Sequence, residues 1–150
     1  MLLKINLYLH YLLYLVKGKH LTHFDEYKTL IERSKRFYET ALIQIDREYY
    51  DLAAFSLEQS LQLFLKAALL KQGLEYPRIH SIRRLLELIY EVTGKEEVKN
   101  VLQKFLIELA LLEDVYITSR YIAREYRKEE VFKTKEAVDE VFMVVRKVIN

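Results

Sequence analysis

The sequence predicts an all-α fold: one up-and-down antiparallel bundle of four to five helices. Three observations carry that prediction. The chain has 150 residues but only three glycines and one proline, where average usage would supply about 18, so the tight turns that hairpins, sandwiches and barrels require cannot be built. Apolar side chains recur at i, i+3, i+4 and i+7 through every long segment, which is the helical period. No repeat, low-complexity tract or long linker divides the chain, and its length suits a single core.

The first segment stands apart. Met1 to Val16 is apolar with one lysine, but it is shorter than the roughly 20 residues that span a bilayer, and Asn6 and His10 interrupt it. No small-residue cleavage site precedes Lys17-Gly18-Lys19-His20, so the segment does not read as a signal peptide either. Residues 1–21 are expected to be an extra amphipathic element, with Leu2, Ile5, Leu9, Leu12 and Val16 on one face, or a non-native extension from an early start codon. Such an exposed stripe would want a partner surface. A cytoplasmic protein without a membrane partner is expected.

The helical domain is placed at 22–150. Thr22 with Asp25 has the form of an N-cap signal, and Tyr27, Leu30, Ile31, Ser34, Phe37, Tyr38, Ala41, Leu42 and Ile45 follow at helical spacing. The first helix is therefore expected over about 24–45. A second is expected over 50–72, with Ala53, Ala54, Leu57, Leu61, Phe64, Leu65 and Ala68 inward and Gly73 at the C-terminal stop. Its alanines and serines would let neighbours approach closely, as the central element of a bundle must.

Leu74 to His80 holds the one proline and reads as a loop. A third helix follows over 81–92, closed by Thr93-Gly94. The longest helical run is expected from Glu96 to about Arg127, with Val98, Leu102, Phe105, Leu109, Leu112 and Tyr116 inward. Thr134 is then read as the cap of a last helix carrying Ala137, Val138, Val141, Val145 and Val148.

Composition also excludes several chemistries. Cysteine is absent, which removes disulfides, thiolate zinc sites, iron–sulfur clusters and thiol nucleophiles. Gly18, Gly73 and Gly94 are isolated, so neither the Walker nor the Rossmann glycine pattern exists. Net charge is only +2, and any affinity for nucleic acid must come from local clustering. The high charged fraction and scarce Met and Cys point to a thermophile.

Metal and acid–base chemistry would rest on four histidines. His20 and His23 have a spacing that can share a metal, but with no second pair they read as surface histidines, and no metal or cofactor is implied. His80-Ser81 stands where a loop enters the third helix; either side chain could cap exposed N–H groups or take part in chemistry. Glu113 and Asp114 diverge by about 100° on a helix, so they read as solvated or ion-paired rather than as a proton-sharing pair. Arg120, Arg124, Arg127 and Lys128 follow i, i+4, i+7 and i+8, with Tyr116, Tyr121 and Tyr126 interleaved. Such a stripe could bind phosphate or RNA through charge and stacking. Alternatively, these cations complement the helix dipole, with Glu125, Glu129 and Glu130 as ion-pair partners.

The run Ala53-Ala54-Phe55-Ser56-Leu57-Glu58-Gln59-Ser60 continuing to Lys66-Ala67-Ala68, then Gly73, His80-Ser81-Ile82 with Leu85-Leu86, and Tyr116-Ile117-Thr118-Ser119-Arg120-Tyr121 resembles the HEPN domain (higher eukaryotes and prokaryotes nucleotide-binding). The resemblance covers about residues 24–148. It implies a helical bundle that dimerises and acts beside a small nucleotidyltransferase in prokaryotic toxin–antitoxin or related modules. Many members are metal-independent ribonucleases with an R-x(4–6)-H motif, the histidine for proton transfer and the arginine for phosphate.

Here the chain departs from that pattern. Gly73, Leu74 and Glu75 occupy the places where an arginine would precede His80, and Tyr126 stands where a histidine would follow Arg120. The expectation is therefore a non-catalytic homodimer that binds a nucleotide or RNA phosphate, or a nucleotidyltransferase partner. Its candidate ligand residues are Tyr116, Arg120, Tyr121 and Arg124, with Lys66, His80 and Ser81 from the matching motifs. The alternatives are a divergent ribonuclease using Tyr126 or His80 as base, and a purely structural oligomerisation module.

Overall fold

The computed structural model describes residues 23–121 and 124–150, with side chains at 23–118 and 124–150. The leader at 1–21, the Thr22 cap and the side chains of Arg120 and Tyr121 lie outside the described residues. Among those described, six helices form and no strand: α1 (His23–Asp46), α2 (Tyr50–Lys71), α3 (Ile82–Thr93), α4 (Glu96–Lys104), α5 (Leu106–Tyr121) and α6 (Lys128–Ile149).

Helix α2 is the axis of the bundle and packs on α1, α3, α5 and α6. Leu57, Leu61 and Leu65, one turn apart, are fully buried, and each contributes about 1.5–3 kcal/mol of transfer free energy. Small residues bring α1 close. Ser34 Oγ donates to the Ser60 carbonyl at 2.7 Å and Ser60 Oγ donates to the Ser34 carbonyl at 2.7 Å. This reciprocal pair satisfies both hydroxyls inside the helix contact, where an unpaired one would cost about 1–3 kcal/mol.

The predicted stops form at both glycines. Gly73 has φ +80° and Gly94 φ +64°, left-handed conformations that glycine adopts without a Cβ penalty. The turn between α1 and α2 uses Glu48 at φ 60° instead, so a residue with a side chain carries the cost there.

Three boundaries differ from expectation. The long run from Glu96 to Arg127 is interrupted at Phe105, whose φ −112° and ψ 27° close α4, and it ends at Tyr121 rather than Arg127. No glycine or proline marks the break. It serves packing: α4 lies on α3 and α6, while α5 turns to pack on α2, and the Phe105 ring is buried at the corner. Among the described residues the all-α bundle therefore counts six helices where four to five are expected, because the long run divides at Phe105.

Thr134, expected as the cap of the last helix, lies inside α6. Its Oγ1 bonds back to the Glu130 carbonyl at 2.6 Å, a common use of threonine within a helix. The helix starts at Lys128 instead, where Glu130 accepts from the Arg127 backbone N–H at 2.8 Å. Among the described residues, no helix is long and apolar enough to cross a membrane.

Candidate functional site

Helix α2 buries several polar side chains, and Glu58, Gln62 and Lys66 are the informative ones. They stand at i, i+4 and i+8, so they form one polar seam along the helix. Glu58 is fully buried. Its two carboxyl oxygens accept from Gln59 Nε2 and Gln62 Nε2, both at 2.6 Å. Lys66 is only 9% exposed. Its Nζ donates to Gln62 Oε1 at 3.1 Å and lies 5.6 Å from the centre of the Tyr76 ring. Burial lowers the Lys66 pKa below the ordinary lysine value, with the charge of Glu58 opposing the shift.

The seam leads to the loop before α3. His80 Nδ1 is 3.1 Å from Gln62 Oε1. That oxygen can only accept, so Nδ1 carries the proton and Nε2 is left as the acceptor nitrogen. The imidazole is exposed and stacks on Tyr116 of α5, with ring centres 4.4 Å apart and planes at 18°. The Tyr116 hydroxyl is 3.4 Å from Nε2, consistent with the stacked geometry.

One carboxylate ties this loop to α5. Glu113 accepts from the Arg83 backbone N–H at 2.8 Å, from Arg83 Nε at 3.1 Å and Nη2 at 2.8 Å, and from Ser81 Oγ at 2.9 Å. Burial would raise the Glu113 pKa, but the bonds from Arg83 and Ser81 outweigh it, and the carboxyl sits below the usual glutamate range. Ser81 Oγ also accepts from the Arg84 N–H at 3.2 Å, capping α3. Glu113 lies one turn before Tyr116 on α5, so it holds the loop at the position where His80 meets Tyr116.

The sequence-predicted residues therefore separate. Lys66 and His80 meet at Gln62 Oε1, Tyr116 joins them through its stack on His80, and Ser81 is engaged in capping. Arg124 lies beyond the end of α5, in the connection to α6. Its Nη2 donates to Glu130 Oε1 at 2.9 Å, and its guanidinium carbon is 4.6 Å from the centre of the Tyr126 ring. The stripe expected from helical spacing does not continue past Tyr121, because the helix does not. Tyr126 is buried, with its hydroxyl 2.9 Å from Thr118 Oγ1. Among the described residues, no group of three His, Asp or Glu could hold a metal ion.

Sequence reasoning passed over Glu58, Gln62 and Arg83, while Glu113, expected to be solvated or ion-paired, is ion-paired with Arg83. For the first two a signal existed: two polar residues one turn apart on the inward stripe of the most apolar helix, in line with Lys66.

The chain is thus a small all-α helical domain whose polar seam opens on a histidine–tyrosine stack. The family model of the HEPN domain matches residues 27–150, and the chain belongs to that family. No curated protein and no solved structure matches the chain.

Proposed function

We propose that this HEPN-domain protein is a non-catalytic binding module that takes a nucleotide or single-stranded RNA at the His80–Tyr116 face. The stacked pair carries the reading. A nucleobase extends such a stack without sequence demand, and base–aromatic stacking contributes about 1–3 kcal/mol per base. Arg120 stands one turn beyond Tyr116 on α5 and is assigned to phosphate. Arg124 is taken up by Glu130 and Ser81 by capping, so both are left out of the ligand contacts. The same reading makes the chain a homodimer that works with a nucleotidyltransferase partner in a toxin–antitoxin-like module.

The departure from R-x(4–6)-H supports the non-catalytic assignment. A positioned base contributes about 10²–10⁴ in rate, and no histidine follows Arg120. A divergent ribonuclease is the second reading, favoured by one observation: Gln62 fixes His80 with Nε2 as the acceptor. Tyr126 does not serve as that base in either reading, since its hydroxyl is buried against Thr118.

The test is binding of a fluorescent oligouridine to wild type, Tyr116→Ala and Arg120→Ala at two salt concentrations. Tyr116→Ala should weaken binding at both. Arg120→Ala should reduce the salt slope by about 0.7, the contribution of one phosphate contact on a single strand. Binding unchanged in both variants rejects the site. RNA cleavage without metal, lost in His80→Ala, would replace the binding module with the ribonuclease.

A further inference from the structure

A second concavity lies on another face of the bundle. Helices α1 and α6 both pack on α2 and leave a groove between them, bridged where the Tyr38 hydroxyl donates to Asp139. The groove encloses about 720 Å³, within the range of small-molecule sites. Its floor is aromatic. Phe64 and Phe142 meet edge to face with centres 4.7 Å apart, and Tyr38 meets Phe142 at 5.7 Å. Ile31 and Met143 extend the apolar wall.

The polar groups lining this space are mostly committed within the protein. Ser34 and Ser60 satisfy one another. Asp139 takes the Tyr38 hydroxyl and the Lys135 ammonium, the latter at 2.7 Å, so its charge is compensated. Lys35 and Glu39 stand one turn apart on the α1 wall with opposite charges. Arg146 differs in being held by aromatic rings rather than by a polar partner. Its guanidinium carbon is 5.6 Å from the Phe64 ring centre and 5.4 Å from that of Phe142, and no described residue pairs with it through a hydrogen bond or salt bridge. The rings hold the fork in place over the groove, and its N–H donors stay available to a planar anion.

We infer that this groove binds a small amphipathic acid, with an aryl or short acyl body on Phe64 and Phe142 and a single carboxylate or sulfonate head on Arg146. An aromatic floor with one ring-held cation suits a monoanion with a hydrophobic body. The multiple charges and polar sugar of a nucleotide would instead meet an aromatic floor, one ring-held cation and the Glu39 carboxylate. This site is separate from the His80–Tyr116 face and stands or falls independently of it.

The experiment uses the full chain and two fluorescent probes: 8-anilinonaphthalene-1-sulfonate, and N-phenyl-1-naphthylamine, which lacks the sulfonate. Both should bind the wild type. Arg146→Met should weaken the sulfonate probe at least tenfold and leave the neutral probe within twofold. Met143→Trp, which crowds the mouth of the groove at an exposed position, should weaken both. Octanoate should displace the sulfonate probe and octanol at equal concentration should not. Failure of the sulfonate probe to bind, or equal affinity in Arg146→Met with an unchanged melting temperature, overturns the assignment. Displacement by AMP in preference to octanoate overturns the ligand class. Both substituted positions are exposed, and a cooperative melt of each variant establishes that its fold is intact.

Discussion

Gln62 and His80, 18 residues apart in the chain, are joined by one hydrogen bond of 3.1 Å, and its polarity is set from below. The Gln62 amide cannot turn over, because its Nε2 donates to the fully buried Glu58 at 2.6 Å. A buried carboxyl group thus determines which nitrogen of a surface imidazole carries the proton.

That relationship is testable directly. Gln62→Leu removes the acceptor for His80 Nδ1 and a donor for Glu58. Stability should fall by about 1–3 kcal/mol, the cost of stranding a buried polar group. Nitrogen-detected NMR of His80 should show the proton on Nδ1 in the wild type and a mixture of tautomers in the variant. An unchanged spectrum would mean that the tautomer is set elsewhere.

The Glu113 clamp predicts an acid-sensitive contribution to stability. Its folded pKa lies below the ordinary glutamate value, so the unfolded chain binds its proton at higher pH than the folded one. The stabilisation is therefore complete above the unfolded range near pKa about 4.3 and is lost as pH falls through that range toward the folded pKa. Melting temperature should drop between about pH 6 and about pH 3, and Glu113→Gln should flatten part of that slope. At neutral pH, Glu113→Ala should cost about 1–3 kcal/mol, since the Arg83 N–H and the Ser81 hydroxyl lose a shared acceptor. Parallel pH profiles for wild type and Glu113→Gln would remove the clamp from the account.

The turn at Glu48 is a site for improvement. A residue with a Cβ at φ 60° bears about 1–2 kcal/mol that glycine avoids, offset in part by the greater freedom of glycine in the unfolded chain. Glu48→Gly should stabilise the protein by up to about 1 kcal/mol and raise its Tm by about 2–4 °C. A lower Tm would show that the Glu48 side chain stabilises more than its backbone costs.

Dimerisation is expected from the apolar surface of α5. Ile107 is 81% exposed and Leu106 49% exposed at its first turn, and one apolar stripe per helix is all that a bundle hides. Sedimentation at about 50 μM, a concentration at which interfaces with micromolar Kd assemble, should show a dimer. Ile107→Glu should shift it to monomer while leaving the melt cooperative. A wild-type monomer under those conditions counts against the homodimer.

The sequence by itself determined the fold class and the central helix. Scarcity of glycine and proline excludes sheet turns regardless of context, and the helical period of Leu57, Leu61 and Leu65 follows from local geometry. Both are properties of neighbours in the chain. The same holds for the stops at Gly73 and Gly94, and for the resemblance that placed Lys66, His80 and Tyr116 among the candidate residues.

Only the tertiary structure decided the break at Phe105, the start of α6 at Lys128 and the partners of the site. Phe105 interrupts a run whose local propensities favour continuation, because α4 and α5 must reach different neighbours. Arg124 leaves the predicted stripe for the same reason: the helix that would have carried it ends at Tyr121. The bond from Gln62 to His80, 18 residues away, and Glu113 on Arg83, 30 residues away, are long-range pairs. A hydrogen bond between distant residues leaves no periodicity in the chain, and its energy is decided by burial that exists only once the helices have packed.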